Sequence, residues 1–386
     1  MKRNLYLDIT ARLDAPEAIV VTGMRRVGKT TLLQQIYDSL TSENKIFLDL
    51  ENPVSQKYFE TENYETVKYQ LETLGIDARQ KAYVFLDEIQ YVKNAPSVVK
   101  YLSDHYGYKF FLTGSSSFYL KNLFTESLAG RKILFELYPL DFEEFLELKG
   151  SSLRIPPIGA CTKPIYDTII PFYREYVEFG GFPGVVSKKS IPEKCEALTE
   201  IFTAYFNKEV TVLSGFRNNA VARDLMLLLT ARIGSKVDIQ KLSSELGVSR
   251  ITVSSYLSFL EGTYFISLIS PYSRGKDTEI RGAKKVYLCD SGLANVLTKT
   301  ALGHIFENAV FHALRTRGNT IRYYQRKSGV ELDFIDEENR GWEVKMHADP
   351  ADSTRTIRLT NELKLTKGHV VSFAWSDNLV AYGFQI

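Results

Sequence analysis

The amino-acid sequence predicts an α/β protein that begins with a parallel sheet carrying helices on both faces. A β-branched run, a glycine-containing loop and a helical pattern follow one another near the amino end. Continuously apolar runs, which are typical of parallel strands covered on both faces, then recur between helical patterns. After this domain we expect a helical lid or linker region, a helix-turn-helix module and a second α/β domain. The four expected domains span residues 1–150, 151–235, 236–300 and 301–386.

The composition is that of an ordinary globular protein. The 386 residues are 44% hydrophobic and 24% charged, which suits about two or three domains. The formal net charge of +2 favours no class of partner, so a basic surface would have to be local. Cys161, Cys195 and Cys289 fit neither a disulfide framework nor a metal knuckle, and no apolar stretch reaches the ~20 residues that cross a bilayer. We therefore expect a cytoplasmic protein with no membrane contact.

Residues 23–30 (GMRRVGKT) spell the pattern G-x-x-x-x-G-K-T between a strand pattern and a helical pattern. Glycines let backbone N–H groups approach an anion, and the following helix N-terminus favours phosphate. Lys29 would reach the β- and γ-phosphates, and Thr30 would offer its hydroxyl to Mg²⁺. The sequence therefore predicts a P-loop that binds a nucleoside triphosphate, rather than a chance glycine turn. The expected binding residues are Gly23, Arg25, Arg26, Val27, Gly28, Lys29, Thr30, Thr31 and, from a later strand end, Ser115.

Two adjacent carboxylates end the apolar run 82–86. Asp87 would face Mg²⁺ through its water shell, and Glu88 would orient and deprotonate the attacking water. The alternative is a strand capped by solvated acids, and the P-loop upstream favours the functional interpretation.

Hydroxyls and an arginine follow the next strand pattern, residues 109–112. Thr113, Ser115 or Ser116 would sense the γ-phosphate, unless the serines only cap the next helix. Arg131 would stabilise transition-state charge on its own nucleotide or on that of a neighbouring subunit. The alternative for Arg131 is a solvated or salt-bridged surface arginine.

Several strings in this order resemble one large prokaryotic class of AAA+ ATPases. They are GMRRVGKTTLL, YVFLDEIQ, FFLTGSSS, SLAGR, LYPLDFEEFL and EFGGFP. Members of the class carry a winged helix and a PD-(D/E)XK nuclease-like domain in the C-terminal half, and the resemblance covers nearly the whole chain. It implies ATP and Mg²⁺ as cofactors. It also implies Walker A roles for Lys29 and Thr30, Walker B roles for Asp87 and Glu88, and an arginine-finger role for Arg131.

The middle of the chain reads as helices followed by a helix-turn-helix. A linker is expected at 150–164. For the turn at 180–183 (GGFP), the resemblance implies a role in positioning a lid against the nucleotide site, and the alternative is a loop that simply breaks a helix. Residues 239–246 and 250–257 form the two helices of the module. The strand patterns 264–269 and 285–288 would form its wing, and the basic segment between them would track phosphates. The alternative is a module that packs only against protein.

The last third carries four residues that resemble a PD-(D/E)XK nuclease core. Asp333 is followed ten residues later by Glu343-x-Lys345 on strand patterns, and Glu307 lies on the apolar stripe of a helix upstream. Asp333 and Glu343 would ligate Mg²⁺ with help from Glu307, and Lys345 would hold the water. The alternative is a hairpin with charged residues on its solvent face.

Together these patterns predict an ATP-hydrolysing AAA+ switch with Lys29, Glu88 and Arg131 as catalytic residues. Its C-terminal half would engage DNA or RNA, and Arg131 acting across an interface would require a homo-oligomer. Two alternatives remain open: an ATP-regulated, Mg²⁺-dependent nuclease, and a signalling or scaffold ATPase that binds only protein.

Overall fold

The computed structural model describes residues 1–115, 130–216, 218–273, 275–318, 320–326, 328–377 and 380–386. The chain divides into two compact units. The first comprises Met1–Tyr138 with Gly262–Tyr264, and the second comprises Pro139–Glu261 with Phe265–Ile386. In the described part of the chain, no helix is both long enough and apolar enough to span a bilayer.

The first unit is built on a five-stranded sheet. Its strands are β1 (Ala18–Thr22), β2 (Lys45–Asp49), β3 (Tyr83–Asp87), β4 (Lys109–Gly114) and β5 (Lys132–Glu136). Its helices are α1 (Leu5–Thr10), α2 (Lys29–Ser39), α3 (Pro53–Lys57), α4 (Tyr64–Thr73) and α5 (Ala95–Tyr106), with a 3₁₀ turn at Ile89–Tyr91. The strand order is β2-β3-β4-β1-β5, and every neighbouring pair is parallel. The predicted α/β fold with a parallel sheet is therefore confirmed.

The arrangement of the sheet explains which strands the sequence revealed. β1 and β4 are buried along their whole length, which accounts for their continuous apolar runs. The sequence did not reveal β5, because this strand is only half buried and its Leu134 is exposed. Since all five strands are parallel, the residues that follow β1, β3 and β4 meet at one edge of the sheet. Ligands bind at this edge in open α/β folds.

The second unit combines helices with a mixed sheet. Its helices are α6 (Phe142–Leu148), α7 (Lys163–Phe179), α8 (Pro183–Val186), α9 (Ile191–Tyr205), α10 (Asn219–Ala231), α11 (Ile239–Leu246), α12 (Arg250–Gly262), α13 (Lys276–Arg281), α14 (Ser291–Thr298), α15 (Leu302–Arg317) and α16 (Pro350–Leu363), with a π-helical stretch at Phe206–Leu213 and a 3₁₀ turn at Gly383–Gln385. Its strands are β6 (Ile266–Pro271), β7 (Lys285–Leu288), β8 (Arg322–Gln325), β9 (Glu331–Ile335), β10 (Arg340–Lys345), β11 (Lys367–Ser372) and β12 (Ala381–Tyr382), in the order β12-β11-β10-β9-β8-β6-β7.

The expected helix-turn-helix segments are both helical, as α11 and α12. Leu242, Val253 and Leu257 of these helices are buried. The two strands predicted to form a wing pair with each other as antiparallel β6 and β7, and their role as a wing stays a prediction. However, β6 also pairs in parallel with β8, so the expected boundary at residue 300 does not separate two sheets. The segment expected to track phosphates contains α13, and its Arg274 lies outside the described residues.

The GGFP turn is held by a buried carboxylate within the second unit. Gly180 has a φ of +74°, and a Cβ at this position would lie 1.9 Å from Oδ1 of Asp290. The backbone N–H of Gly181 donates to Oδ2 of Asp290 (2.7 Å), and its carbonyl accepts from the N–H of Leu140 (2.8 Å). These contacts explain the two glycines by close packing. A role of the turn as part of a nucleotide lid stays a prediction.

We expect Asp290 to make the stability of the folded chain depend on pH. Burial raises the pKa of Asp290 from 3.8 to about 7, against the opposing effect of the backbone N–H groups of Gly181 and Gly292. Between these two values the folded state keeps a proton that the unfolded chain releases, so the stability falls as pH rises. In Asp290→Asn this fall should be smaller, as measured by the thermal midpoint at pH 5 and pH 8.

Asp277→Asn, on an exposed position of α13, is the matched control and should keep the pH dependence of the wild type. An unchanged pH dependence in Asp290→Asn would contradict the expectation.

Candidate nucleotide-binding site

The glycine loop joins the buried end of β1 to the first turn of α2. Gly23 has a φ of +153°, and a Cβ there would lie 2.1 Å from the carbonyl oxygen of Leu137. Gly28 is the N-cap of α2 and has a φ of +100°, so the second glycine is also required by the backbone. Arg26 adopts a positive φ of 68° in the same loop, and its side chain is exposed. The loop therefore closes tightly before the helix begins.

Lys29 turns its side chain back towards the loop. It is the first residue of α2 and is only 4% exposed. Its Nζ donates to the carbonyl oxygens of Gly23 (2.9 Å) and Met24 (3.1 Å). A buried positive charge is thereby held against the backbone of the loop.

Asp87 lies at the end of β3 and accepts hydrogen bonds from two hydroxyl groups. Thr30 Oγ1 donates to Oδ2 of Asp87 (2.6 Å), and Thr113 Oγ1, from β4, donates to Oδ1. Burial raises the pKa of Asp87, while these two hydroxyl donors lower it. The carboxylate of Asp87 and the hydroxyl of Thr30 are adjacent hard oxygen donors, which is the chemistry that Mg²⁺ prefers.

Glu88 follows in an unusual backbone conformation. Its φ is +55°, in the left-handed region, and its N–H donates to Oγ1 of Thr113 (2.9 Å). Its carboxylate accepts a hydrogen bond from Nε2 of Gln90, which also donates to Oγ of Ser115 (3.1 Å). Of the three hydroxyls proposed to sense phosphate, Thr113 therefore contacts Asp87 and Glu88, Ser115 contacts Gln90, and Ser116 lies outside the described residues.

The structure brings further residues to the loop that the sequence did not single out. Arg3 donates from Nη1 to the carbonyl of Val27 (2.8 Å) and from Nη2 to the carbonyl of Tyr138 (2.8 Å), so it ties the P-loop to the chain after β5. The hydroxyl of Tyr91 lies 3.4 Å from Nη2 of Arg25, which is one of the predicted binding residues. Arg3 belongs to no sequence motif, and its role depends on contacts with Val27 and Tyr138, which are distant in sequence. Gln90 stood inside the string YVFLDEIQ, which was the available signal.

Arg131 lies at the opposite edge of the sheet from the P-loop. Its carbonyl accepts the N–H of Ala18 (2.9 Å), where β1 begins, whereas the P-loop follows Thr22, where β1 ends. The length of β1 separates these edges by roughly 13 Å. The guanidinium Nε pairs with Oδ1 of Asp104 (2.9 Å) at the surface. Arg131 is thus salt-bridged, as its alternative interpretation predicted, and the strand direction takes it away from this chain's own P-loop.

The four residues of the predicted nuclease-like site do come together in the second unit. Tyr287 donates to Oε1 of Glu307 (2.6 Å), the N–H of Val344 donates to Oδ2 of Asp333 (2.8 Å), and Lys345 Nζ lies 2.6 Å from Oε1 of Glu343. Burial, then the charge of Glu307, raises the pKa of Asp333. Burial, then the charge of Asp333, raises the pKa of Glu343, and burial also raises the pKa of Glu307.

These carboxylates do not form a ready metal site. Among the described residues, no group of three or more His, Cys, Asp or Glu is arranged to hold a metal ion. Asp333, Glu343 and Glu307 are therefore not arranged as a complete ligand set among these residues, and their predicted role as Mg²⁺ ligands is untested. The four predicted residues lie close together, and their metal-binding role stays a prediction.

Comparison with known families places a defined domain in the first part of the chain. Residues 15–146 match the family described as AAA domain, and residues 170–302 match a domain of unknown function (DUF8612). Residues 15–146 are thus similar to an AAA domain, which supports this part of the predicted resemblance. The winged-helix and PD-(D/E)XK assignments stay predictions.

Relatives align over both halves of the chain. An uncharacterized protein of Methanocaldococcus jannaschii is 29% identical over 343 residues, covering 85% of this chain and 74% of the relative. An uncharacterized protein of Haemophilus influenzae is 28% identical over 332 residues, covering 82% and 78%.

Similar solved structures include Drosophila ORC bound to AT-rich DNA and Cdc6, with 9% identity, coverage of 75% of this chain and 88% of that chain, and a TM-score of 0.27. They also include C. elegans PCH-2, with 17% identity, coverage of 53% and 65%, and a TM-score of 0.27.

Proposed function

We propose that the chain binds ATP with Mg²⁺ and hydrolyses it, and that this cycle works as a nucleotide-driven switch. The observation that carries the proposal is the meeting of Lys29, Thr30, Asp87 and Glu88 at the carboxyl edge of one parallel sheet. The AAA domain match over residues 15–146 supports it.

The chemistry divides among these residues by type. Backbone N–H groups at the start of α2 and the ammonium of Lys29 bind the phosphates. The hydroxyl of Thr30 and the carboxylate of Asp87 hold Mg²⁺, directly or through water. When bound, the ion neutralises part of the phosphate charge. Glu88 accepts a proton from the attacking water as the water oxygen bonds to the γ-phosphorus and the bond to ADP breaks.

Calorimetry and phosphate release test the proposal directly. Titrating ATP into the full chain with Mg²⁺ present should give binding heat that saturates at one nucleotide per chain, and incubation should release phosphate. Absence of heat with ATP and Mg²⁺ would overturn the assignment of the site.

For the second unit, the exposed face of α12 supports contact with nucleic acid. Its core residues are buried, whereas Arg250 and Ser255 are exposed and Ile251 is 82% exposed on the first turn. The second helix of a helix-turn-helix uses such N-terminal positions to meet base edges, while basic residues meet phosphates.

We expect the full chain to bind duplex DNA with an affinity that falls steeply as salt rises, because phosphate contacts release counterions. Fluorescence anisotropy between 50 and 200 mM salt, about the range over which such contacts weaken strongly, would measure it. An anisotropy that stays flat with both DNA and RNA would favour the alternative of an ATPase that binds only protein.

The buried acidic residues of the second unit support the alternative of an ATP-regulated nuclease. Glu307, Asp333, Glu343 and Lys345 share one region of the second unit, as that activity requires. The matched test is incubation of duplex, single-stranded and junction DNA and of RNA with Mg²⁺, comparing the wild type with Asp333→Ala. Intact substrates in every case would remove this alternative.

An arginine-finger role for Arg131 is proposed only between subunits, because its position at the far edge of the sheet removes it from this chain's own loop. Such a role requires a homo-oligomer. Light scattering with and without ATP measures whether one forms.

A further inference from the structure

A single carboxamide joins two elements of the nucleotide site. Gln90 lies in the 3₁₀ turn directly after Glu88, and its Nε2 donates both to the carboxylate of Glu88 and to Oγ of Ser115 (3.1 Å). All three side chains are enclosed, with exposures of 8% for Glu88, 9% for Gln90 and 1% for Ser115. Neither hydrogen bond is a surface contact that water could replace freely.

We propose that Gln90 is a positioning residue for ATP hydrolysis: it fixes the carboxylate of Glu88 and couples it to the hydroxyl of Ser115 at the end of β4. The proposal rests on the proposed ATPase function of the same site. It assigns Gln90 a function in the chemical step and none in holding the nucleotide.

The geometry around Glu88 gives the reason for such a residue. A glutamate has several rotatable side-chain bonds, and a general base must be held within hydrogen-bond reach of the proton that it takes. The backbone of Glu88 is fixed by its own N–H bond to Thr113 (2.9 Å), but that bond leaves the side-chain torsions free. The donor of Gln90 removes this freedom by occupying one carboxylate oxygen, Oε2, so that the other oxygen remains available as the proton acceptor.

The other end of the carboxamide supplies a second observation. Oε1 of Gln90 is buried and has no hydrogen-bond partner among the described residues. A buried acceptor without a donor costs free energy. We infer that Oε1 of Gln90 receives its donor when the nucleotide and the attacking water bind. The attacking water carries two hydrogens. Glu88 would take one as a proton, while Oε1 of Gln90 accepts a hydrogen bond from the other.

The hydrogen bond between Gln90 and Ser115 connects the carboxylate of Glu88 to the end of β4. Ser115 directly follows β4, the strand next to β1, from which the P-loop extends. A shift of the Ser115 hydroxyl towards a γ-phosphate would move the amide nitrogen of Gln90, and with it the carboxylate of Glu88. The alignment of the base thus depends on the occupant of the phosphate site.

Gln90→Met tests the proposal because methionine keeps the length of the side chain and removes both the donor and the acceptor. We expect kcat for ATP hydrolysis to fall about 10- to 100-fold, a share of what general-base catalysis contributes. The KM and the dissociation constant for ATP with Mg²⁺ should stay within about twofold, since Gln90 would touch no phosphate. Gln34→Met, on the exposed face of α2 where the amide meets Asp38, is the matched control and should keep the wild-type kcat.

A double-mutant cycle separates the coupling from a general loss of structure. Ser115→Ala alone should lower kcat, and adding it to Gln90→Met should cost little more, because both changes break the same connection. Independent, multiplicative effects would overturn the coupling. An unchanged kcat in Gln90→Met would overturn the positioning role.

If Gln90→Met fails to fold, as judged by its thermal midpoint, the two single variants Gln90→Asn and Ser115→Ala test the positioning role instead. Wild-type kcat in both single variants would overturn the proposal. Failure of the ATPase assignment itself is distinguishable, because the wild type would then release no phosphate. A wild type that hydrolyses ATP beside a Gln90→Met variant with the same kcat would remove this inference alone.

Discussion

Replacing Lys29 with alanine should abolish ATP hydrolysis and weaken nucleotide binding. The ammonium of Lys29 is the buried positive charge that the structure holds against the P-loop, through the carbonyls of Gly23 and Met24. A preorganised charge in a site that excludes water stabilises developing phosphate charge far more than a solvated one does. We expect the phosphate-release rate to fall by a factor of about 1,000 or more, as is typical when a principal charge of such a site is lost.

The variant must also be shown to be folded, because Lys29 is buried. Loss of the hydrogen bonds from Lys29 to the carbonyls of Gly23 and Met24 should lower the free energy of unfolding by about 1–3 kcal/mol. This loss is smaller than the free energy of unfolding of a typical domain, so we expect the variant to fold. Lys93→Ala, an exposed lysine of the same unit, is the matched control and should keep both activity and thermal midpoint. Normal hydrolysis by a folded Lys29→Ala variant would show that the site lies elsewhere.

Replacing Glu88 with glutamine should separate binding from turnover. The amide preserves the shape of the side chain and keeps an oxygen that can accept the N–H of Gln90, but it cannot take a proton from water. We expect kcat to fall about 100- to 10,000-fold, the contribution of general-base catalysis. The dissociation constant for ATP should stay close to that of the wild type, because Glu88 would make no contact with the phosphates.

Comparing single-turnover hydrolysis with equilibrium binding measures both effects on one preparation. Glu43→Gln, an exposed carboxylate of the first unit, controls for the loss of one negative charge. A Glu88→Gln variant that hydrolyses ATP as fast as the wild type would leave another group as the base.

The elements of the first unit could be predicted from sequence where one local pattern was sufficient. The P-loop needs two glycines at fixed spacing and a helix after them, and β1, β3 and β4 are apolar because both of their faces are buried. Since the strands are parallel, Asp87 and the hydroxyls at the end of β4 had to meet the P-loop edge. The contact of Asp87 with Thr30 and Thr113 follows from this topology.

Features that depend on contacts distant in sequence escaped prediction. Arg3 contacts Val27 and Tyr138 through backbone carbonyls, which carry no sequence signal. The place of Arg131 depends on β5, a half-buried strand without a clear pattern. In the second unit, the pairing of β6 with β8 joins strands far apart in the chain. The carboxylate of Asp290 likewise reaches a glycine turn more than a hundred residues away, so the reason for GGFP was invisible locally.

The left-handed backbone of Glu88 has a consequence for engineering this protein. A residue with a Cβ in that conformation costs about 1 kcal/mol or more, whereas glycine adopts it without strain. Glycine at position 88 would relieve this strain, but it would also discard the carboxyl group that accepts the hydrogen bond from Gln90. Substitution libraries at this position therefore need an activity filter beside the measurement of heat resistance.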